Sequence, residues 1–345
     1  MFVLYKYARM RGARLRGEGT TVYHCVSRII GREWLLGDRE KAYFIKLMRK
    51  HAVFSGSKIL TFCIMSNHFH ILIEVPTHDP VVDEVFATRL RAVYSDIAVE
   101  NFMMSVSEIR ISRGDVEAEK YKEEKYGYRM ENISEYMKSV KGQFSRWYNK
   151  SRKRKGTIWD DRFTSVVAET GETAKTQAAY IDLNPIRADI KSDPKDYRWS
   201  GYGQACAGVK EAREGIVGLF AGDPGPAMTE AEYLARYRTH MYLEAESTEV
   251  VGTPREPGTR KGISREEVKK VLEAGGKLKM HQFLRCRVRY FTDGVVMGTA
   301  AFVEEHFKRH RHCFGAKRTT GARPIRQAET DLTTIRDLRL DPIIV

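Results

Sequence analysis

Residues 58–75, KILTFCIMSNHFHILIEV, hold two apolar, β-forming runs joined only by Ser66 and Asn67. So tight a link makes the runs, 58–65 and 68–75, neighbouring strands of one sheet. Upstream, TVYHCVSR (21–28) alternates and is rich in β-formers, which predicts a further strand. Between them, Asp38 offers an N-cap to a segment in which Ala42, Ile45, Leu47, Met48, Ala52 and Val53 recur at helical spacing. Residues 83–104 read as a helix, the highly charged stretch around 105–130 as an exposed insertion, and 132–156 as a helix ending in a basic run. Residues 157–169 are strand-like, and 170–185 form a helix that Pro185 helps to end. This order predicts an α+β fold, a ferredoxin-like antiparallel sheet with packed helices.

Residues i and i+2 of a strand share a face, so His68 and His70 project together while Phe69, Ile71 and Ile73 point into a core. Two imidazoles at this spacing can share one divalent ion if a third ligand comes from elsewhere. The plainer alternative is a pair of hydrogen-bonded core histidines. In AAYIDLNP, Tyr180 and Asn184 lie four residues apart, on one face of the expected helix. A tyrosine hydroxyl becomes a useful nucleophile when a metal polarises its phosphate target. The Asn184 amide oxygen is a candidate for the missing ligand. Taken alone, Tyr180 is one of 17 tyrosines, and a tyrosine on a helix face ordinarily covers the core.

In order, MSNHFHILIE, YMKSVKGQFSRWYN, TIWDDRF and YIDLNPIRA resemble the motifs of the REP-associated tyrosine transposases, a single-tyrosine group of the HUH endonuclease superfamily. The resemblance spans roughly residues 20–205. It implies an HUH core, a metal held by His68, His70 and Asn184, and Tyr180 as nucleophile. It further implies an enzyme that cleaves and rejoins single-stranded, hairpin-forming DNA through a 5′-phosphotyrosine, using Mg²⁺ or Mn²⁺. Lys150, Arg152, Lys153, Arg154 and Lys155 are candidate phosphate contacts, and Trp147 and Trp159 candidate base-stacking platforms. Arg162 of WDDRF matches a family arginine near the site, although an ion pair with Asp160 or Asp161 would also explain it. The rival readings are a repeat-binding protein without catalysis and an HUH replication initiator or relaxase.

The chain carries 59 Lys+Arg against 45 Asp+Glu, a formal charge of +14 that favours a polyanionic partner. Residues 1–205 and 251–345 are each net positive, whereas 206–250 hold 8 acidic against 4 basic residues. The expected organisation is a catalytic domain over 1–205, a linker region over 206–260, and a mainly helical basic C-terminal extension over 261–345. Ser264 and Glu267 predict a capping-box helix in that extension, and a second helix is expected after Thr299. The extension reads as a helix-turn-helix-like DNA-binding module or a plain packing domain. His306, His310, His312 and Cys313 match no standard zinc spacing and are expected to be solvated or phosphate-facing. Five cysteines without a CxxC pair, and no apolar run long enough to span a bilayer, lead to the expectation of a cytoplasmic protein with no membrane partner. Monomer and homodimer both stay open.

Overall fold

A computed structural model describes residues 19–242, 278–284, 290–325 and 328–335. The expected capping-box helix at 264–276 lies outside the described residues.

The core follows the predicted order: β1 (Thr21–Arg28), α1 (Asp38–Ser55), β2 (Lys58–Ile64) and β3 (His68–Val75), then a helical excursion before β4 (Thr164–Ala168) and α6 (Glu172–Asp182). The excursion comprises α2 (Asp83–Arg91), α3 (Asp96–Arg113), α4 (Asp115–Lys125) and α5 (Ile133–Ser151). Then come α7 (Asn184–Arg187), α8 (Gly201–Cys206), α9 (Lys210–Gly218) and α10 (Glu230–Tyr242). The C-terminal part contributes α11 (Met280–Leu284), α12 (Tyr290–Asp293), β5 (Val296–Gly298), α13 (Ala300–Arg309), β6 (Arg323–Pro324) and β7 (Thr333–Thr334).

Among the described residues the sheet has seven strands in the order β2-β3-β1-β4-β5-β7-β6. Every neighbouring pair is antiparallel except β4 and β5. The first four strands have the ferredoxin-like order, so the fold is α+β as expected.

Strand alternation divides the core into two layers. Phe69, Ile71 and Ile73 point to one face, where Phe44 of α1 and Phe144 of α5 meet them. The Phe44 ring sits 4.6 Å from that of Phe69 and 5.3 Å from that of Phe144. Leu72 points to the other face, with Ala178 and Tyr180 of α6, Ala205 of α8 and Ile216 of α9. On α1 the central apolar contact is Phe44, whereas Ala42 and Val53 are exposed. Asp38 is the first helical residue rather than the cap, and its carboxylate pairs with Arg198 at 2.7 Å.

Several expectations are corrected. The single helix expected over 83–104 breaks before Ser95, whose hydroxyl caps α3 by accepting from the Ala98 N–H. The charged insertion is not fully exposed: Phe102, Val106, Ala118 and Met130 build a small core with Phe54, Phe86 and Leu90. Its charges are paired, Arg110 with Glu119 and with Asp83 of α2, and Lys122 with Asp83 at 2.8 Å. Nor is 206–242 a plain linker, since α9 and α10 lie against the core. The C-terminal part is mainly helical as expected, and it also adds β5, β6 and β7 to the same sheet. Strands of two or three residues leave too short a pattern to be seen in sequence.

The docking of α9 is close enough to test. A Cβ on Gly215 would sit 2.6 Å from the carbonyl oxygens of both Ile59 and Leu60. Backbone of β2 cannot yield as a flexible side chain can. Gly215→Ala is therefore expected to lower stability by about 1–3 kcal/mol in urea denaturation, despite alanine's better helix propensity. An unchanged midpoint would mean that α9 lifts freely from the strand.

Candidate active site

β3 places His68 and His70 on the face covered by α6, and β1 lies beside it with Val26 opposite His70 and Arg28 opposite His68. The two histidine rings are 5.2 Å apart and nearly perpendicular. Asn67 orients the first of them: its amide N–H₂ donates to the Arg32 carbonyl at 3.3 Å, so its oxygen faces His68 Nδ1 at 2.7 Å. His68 Nδ1 therefore carries hydrogen. His70 is buried, which holds its pKa well below the ordinary histidine value, with His24, His68, Arg187 and Arg28 adding to the effect.

α6 packs over β2 and β3 and brings Tyr180 to this cluster. The Tyr180 ring lies 6.3 Å from that of His70 and 6.4 Å from that of His24. It is stacked on Phe291 of α12 at 4.5 Å, and the Arg187 guanidinium carbon lies 3.9 Å from its centroid. These contacts leave the residue 5% exposed. Arg187 is held by the carbonyls of Leu284 (2.8 Å) and Tyr180 (2.6 Å). By contrast, Tyr136 donates to the Met48 carbonyl at 3.1 Å in the opposite layer, and Tyr148 packs on Phe144 there.

Tyr180 and Asn184 do not share one uninterrupted helix, because α6 ends at Asp182 and Asn184 opens α7. Pro185 has no N–H to offer the Ile181 carbonyl. The Asn184 side-chain amide takes that carbonyl instead, at 3.0 Å. With its nitrogen so engaged, its oxygen makes no hydrogen bond to another described residue, and neither does His70 Nε2. Among the described residues no group of three or more His, Cys, Asp or Glu side chains could hold a metal ion. A third ligand for His68 and His70 would thus be of another type. The amide oxygen of Asn184 suits a divalent ion chemically.

Next to this cluster sits a buried carboxylate. Asp182 accepts from Thr61 of β2 (2.8 Å), Tyr237 of α10 (2.7 Å) and the Tyr202 N–H of α8 (3.1 Å). Burial pushes its carboxyl up to about 7 against the opposing effect of these donors. Asp182 joins four elements where α6 ends.

Lys150 lies in the last turn of α5, and the rest of the basic run falls beyond the helix. Lys150, Arg152, Lys153 and Lys155 are exposed and Arg154 half-buried. Arg152 pairs with Glu40 at 2.8 Å. The following segment reaches the end of β1, where the Asp160 N–H donates to the Arg28 carbonyl at 3.0 Å. Arg162 makes no ion pair with Asp160 or Asp161; it lines a cleft of about 70 Å³ with Ser27, Arg28 and Thr292. Trp159 is no stacking platform, being buried with its indole N–H on Ser145 Oγ at 2.9 Å. Trp147 stacks on Tyr43 at 4.1 Å. His306 is buried rather than solvated, whereas His312 is exposed.

Sequence reasoning missed His24, Arg187 and Phe291. His24 was visible as a polar residue in the alternating strand TVYHCVSR, and Arg187 as the arginine of NPIRA. Phe291 carried no signal.

No curated protein matches the chain. A solved structure of a REP-associated tyrosine transposase bound to a REP hairpin is similar, at 13% identity and a TM-score of 0.38, over 57% of this chain and 86% of that one. Residues 19–106, from β1 through the paired histidines into α3, match the family model for IS200-like transposases, and over that stretch the chain is similar to this family.

Proposed function

We propose that the protein is a metal-dependent tyrosine endonuclease and strand transferase acting on single-stranded, hairpin-forming DNA. The packing of Tyr180 against His70, on the sheet face that also presents His68, carries this reading. The match of residues 19–106 to IS200-like transposases supports it, as does the formal charge of +14.

In this reading His68, His70 and Asn184 hold Mg²⁺ or Mn²⁺, which would supply charge neutralisation at the scissile phosphate. Tyr180 Oη gives up its proton and attacks phosphorus, forming the Tyr–O–P bond, so that one proton is released here and one is taken up by the leaving oxygen. The bond from phosphorus to the 3′ oxygen breaks, and that oxygen takes a proton to become a free 3′-hydroxyl. The phosphodiester energy is kept in the 5′-phosphotyrosine, so the same site can rejoin strands without ATP. Lys150, Arg152, Lys153, Arg154, Lys155 and Arg162 are the proposed DNA contacts. Residues 1–205 would carry the catalytic side chains.

A second reading, repeat binding without cleavage, is favoured by the near-complete burial of Tyr180 under Phe291 and Arg187. Labelled single-stranded hairpin DNA incubated with the protein and Mn²⁺ separates the two. A denaturation-resistant adduct that chelator prevents supports the enzyme; tight binding with no adduct overturns it. No helix among the described residues is long and apolar enough to cross a membrane.

A further inference from the structure

β1 sets a third imidazole behind the paired histidines. His24 is fully buried, with Nδ1 2.7 Å from the Phe291 carbonyl oxygen and Nε2 2.9 Å from His70 Nδ1. Each of these bonds holds one proton, and their positions can be deduced. A carbonyl only accepts, so His24 Nδ1 must carry hydrogen. A fully buried imidazole whose two nitrogens meet a carbonyl and another imidazole is neutral, since burying its charge without a counter-ion is costly. His24 Nε2 is then an acceptor, and the proton between the rings sits on His70 Nδ1. His70, also neutral, has its lone pair on Nε2, the nitrogen with no hydrogen bond to another described residue.

We propose that His24 is a positioning residue that fixes His70 in the Nδ1–H tautomer and so presents Nε2 to the divalent ion, with the C-terminal segment anchoring the relay through the Phe291 carbonyl. This rests on the metal-holding role of His70 proposed above. It gives the C-terminal extension a part in the site, since Phe291 lies 267 positions from His24. The relay does for His70 what the Asn67 amide does for His68, each giving the Nδ1 of its imidazole a hydrogen-bond partner. Buried partners of this kind set the orientation and basicity of imidazole ligands.

The tautomer can be read without metal or DNA. In ¹⁵N-histidine-labelled protein, long-range ¹H–¹⁵N correlations are expected to show His70 protonated at Nδ1 alone. In His24→Leu the Nε2–H form should gain population, and Mn²⁺ affinity by calorimetry should fall about 10–100-fold. His24→Gln, whose amide oxygen can accept where Nε2 does, should restore most of both. Should His24→Leu not fold, the wild-type tautomer and His24→Gln still decide. An Nε2–H tautomer in the wild type overturns the relay, and so does unchanged Mn²⁺ affinity in a folded His24→Leu. The expected tautomer with no Mn²⁺ uptake by wild type would instead overturn the metal reading, and with it the purpose assigned to His24.

Discussion

Tyr180→Phe is expected to abolish covalent capture of hairpin DNA, a loss on the order of 10³-fold or more, while hairpin affinity changes by less than about twofold. The substitution removes one oxygen and keeps the ring. The ring makes the contacts that build this corner of the fold, with Phe291 at 4.5 Å and the Arg187 guanidinium at 3.9 Å. An unchanged melting temperature should therefore accompany the loss of adduct, which separates a missing nucleophile from a damaged core. The measurement is a denaturing gel of labelled hairpin with Mn²⁺, wild type beside variant. An adduct that survived Tyr180→Phe would place the nucleophile elsewhere. Tyr136 would be a poor successor, since its hydroxyl is committed to the Met48 carbonyl in the opposite layer.

The central fold was legible because its two periods are clean. Alternation in TVYHCVSR and HFHILIEV gave β1 and β3 their observed bounds, and the Ser66-Asn67 link forced β2 and β3 together. The sharing of one face by His68 and His70 follows from the same period. What stayed hidden was set by tertiary structure. His24 meets His70 diagonally across two strands, so neither strand's own pattern announces the contact. Phe291 reaches Tyr180 from α12, which packs on β1 and β4 just ahead of β5, a strand that pairs with β4 over two residues on each side. The Pro185 break was visible, but not that the Asn184 amide would take the freed Ile181 carbonyl. Charge misled at 105–130, where Lys122 is 3% exposed because carboxylates surround it.

His306 tests the C-terminal part by acid rather than by activity. Its side chain is buried in α13, its Nδ1 has no hydrogen-bond partner, and the Phe302 ring lies 4.6 Å away. Burial lowers its pKa to about 4, aided by Arg309 and His310 and opposed by Glu305. The folded value thus lies below the unfolded value of about 6.5. Between the two, the unfolded chain binds the extra proton, so this residue's contribution is fully present above pH 6.5 and is lost as pH falls toward 4. His306→Leu removes the titration and the unpaired nitrogen together. Its stability relative to wild type should rise by about 2–3 kcal/mol between pH 7 and pH 4. Urea denaturation of both proteins at several pH values measures that difference, and taking the difference cancels the other buried histidines, His24 and His70 among them. Parallel loss of stability in the two proteins would mean that His306 is not what acid attacks; a gap that opens below pH 6.5 would make the junction of α13 with the sheet the acid-sensitive part of the fold.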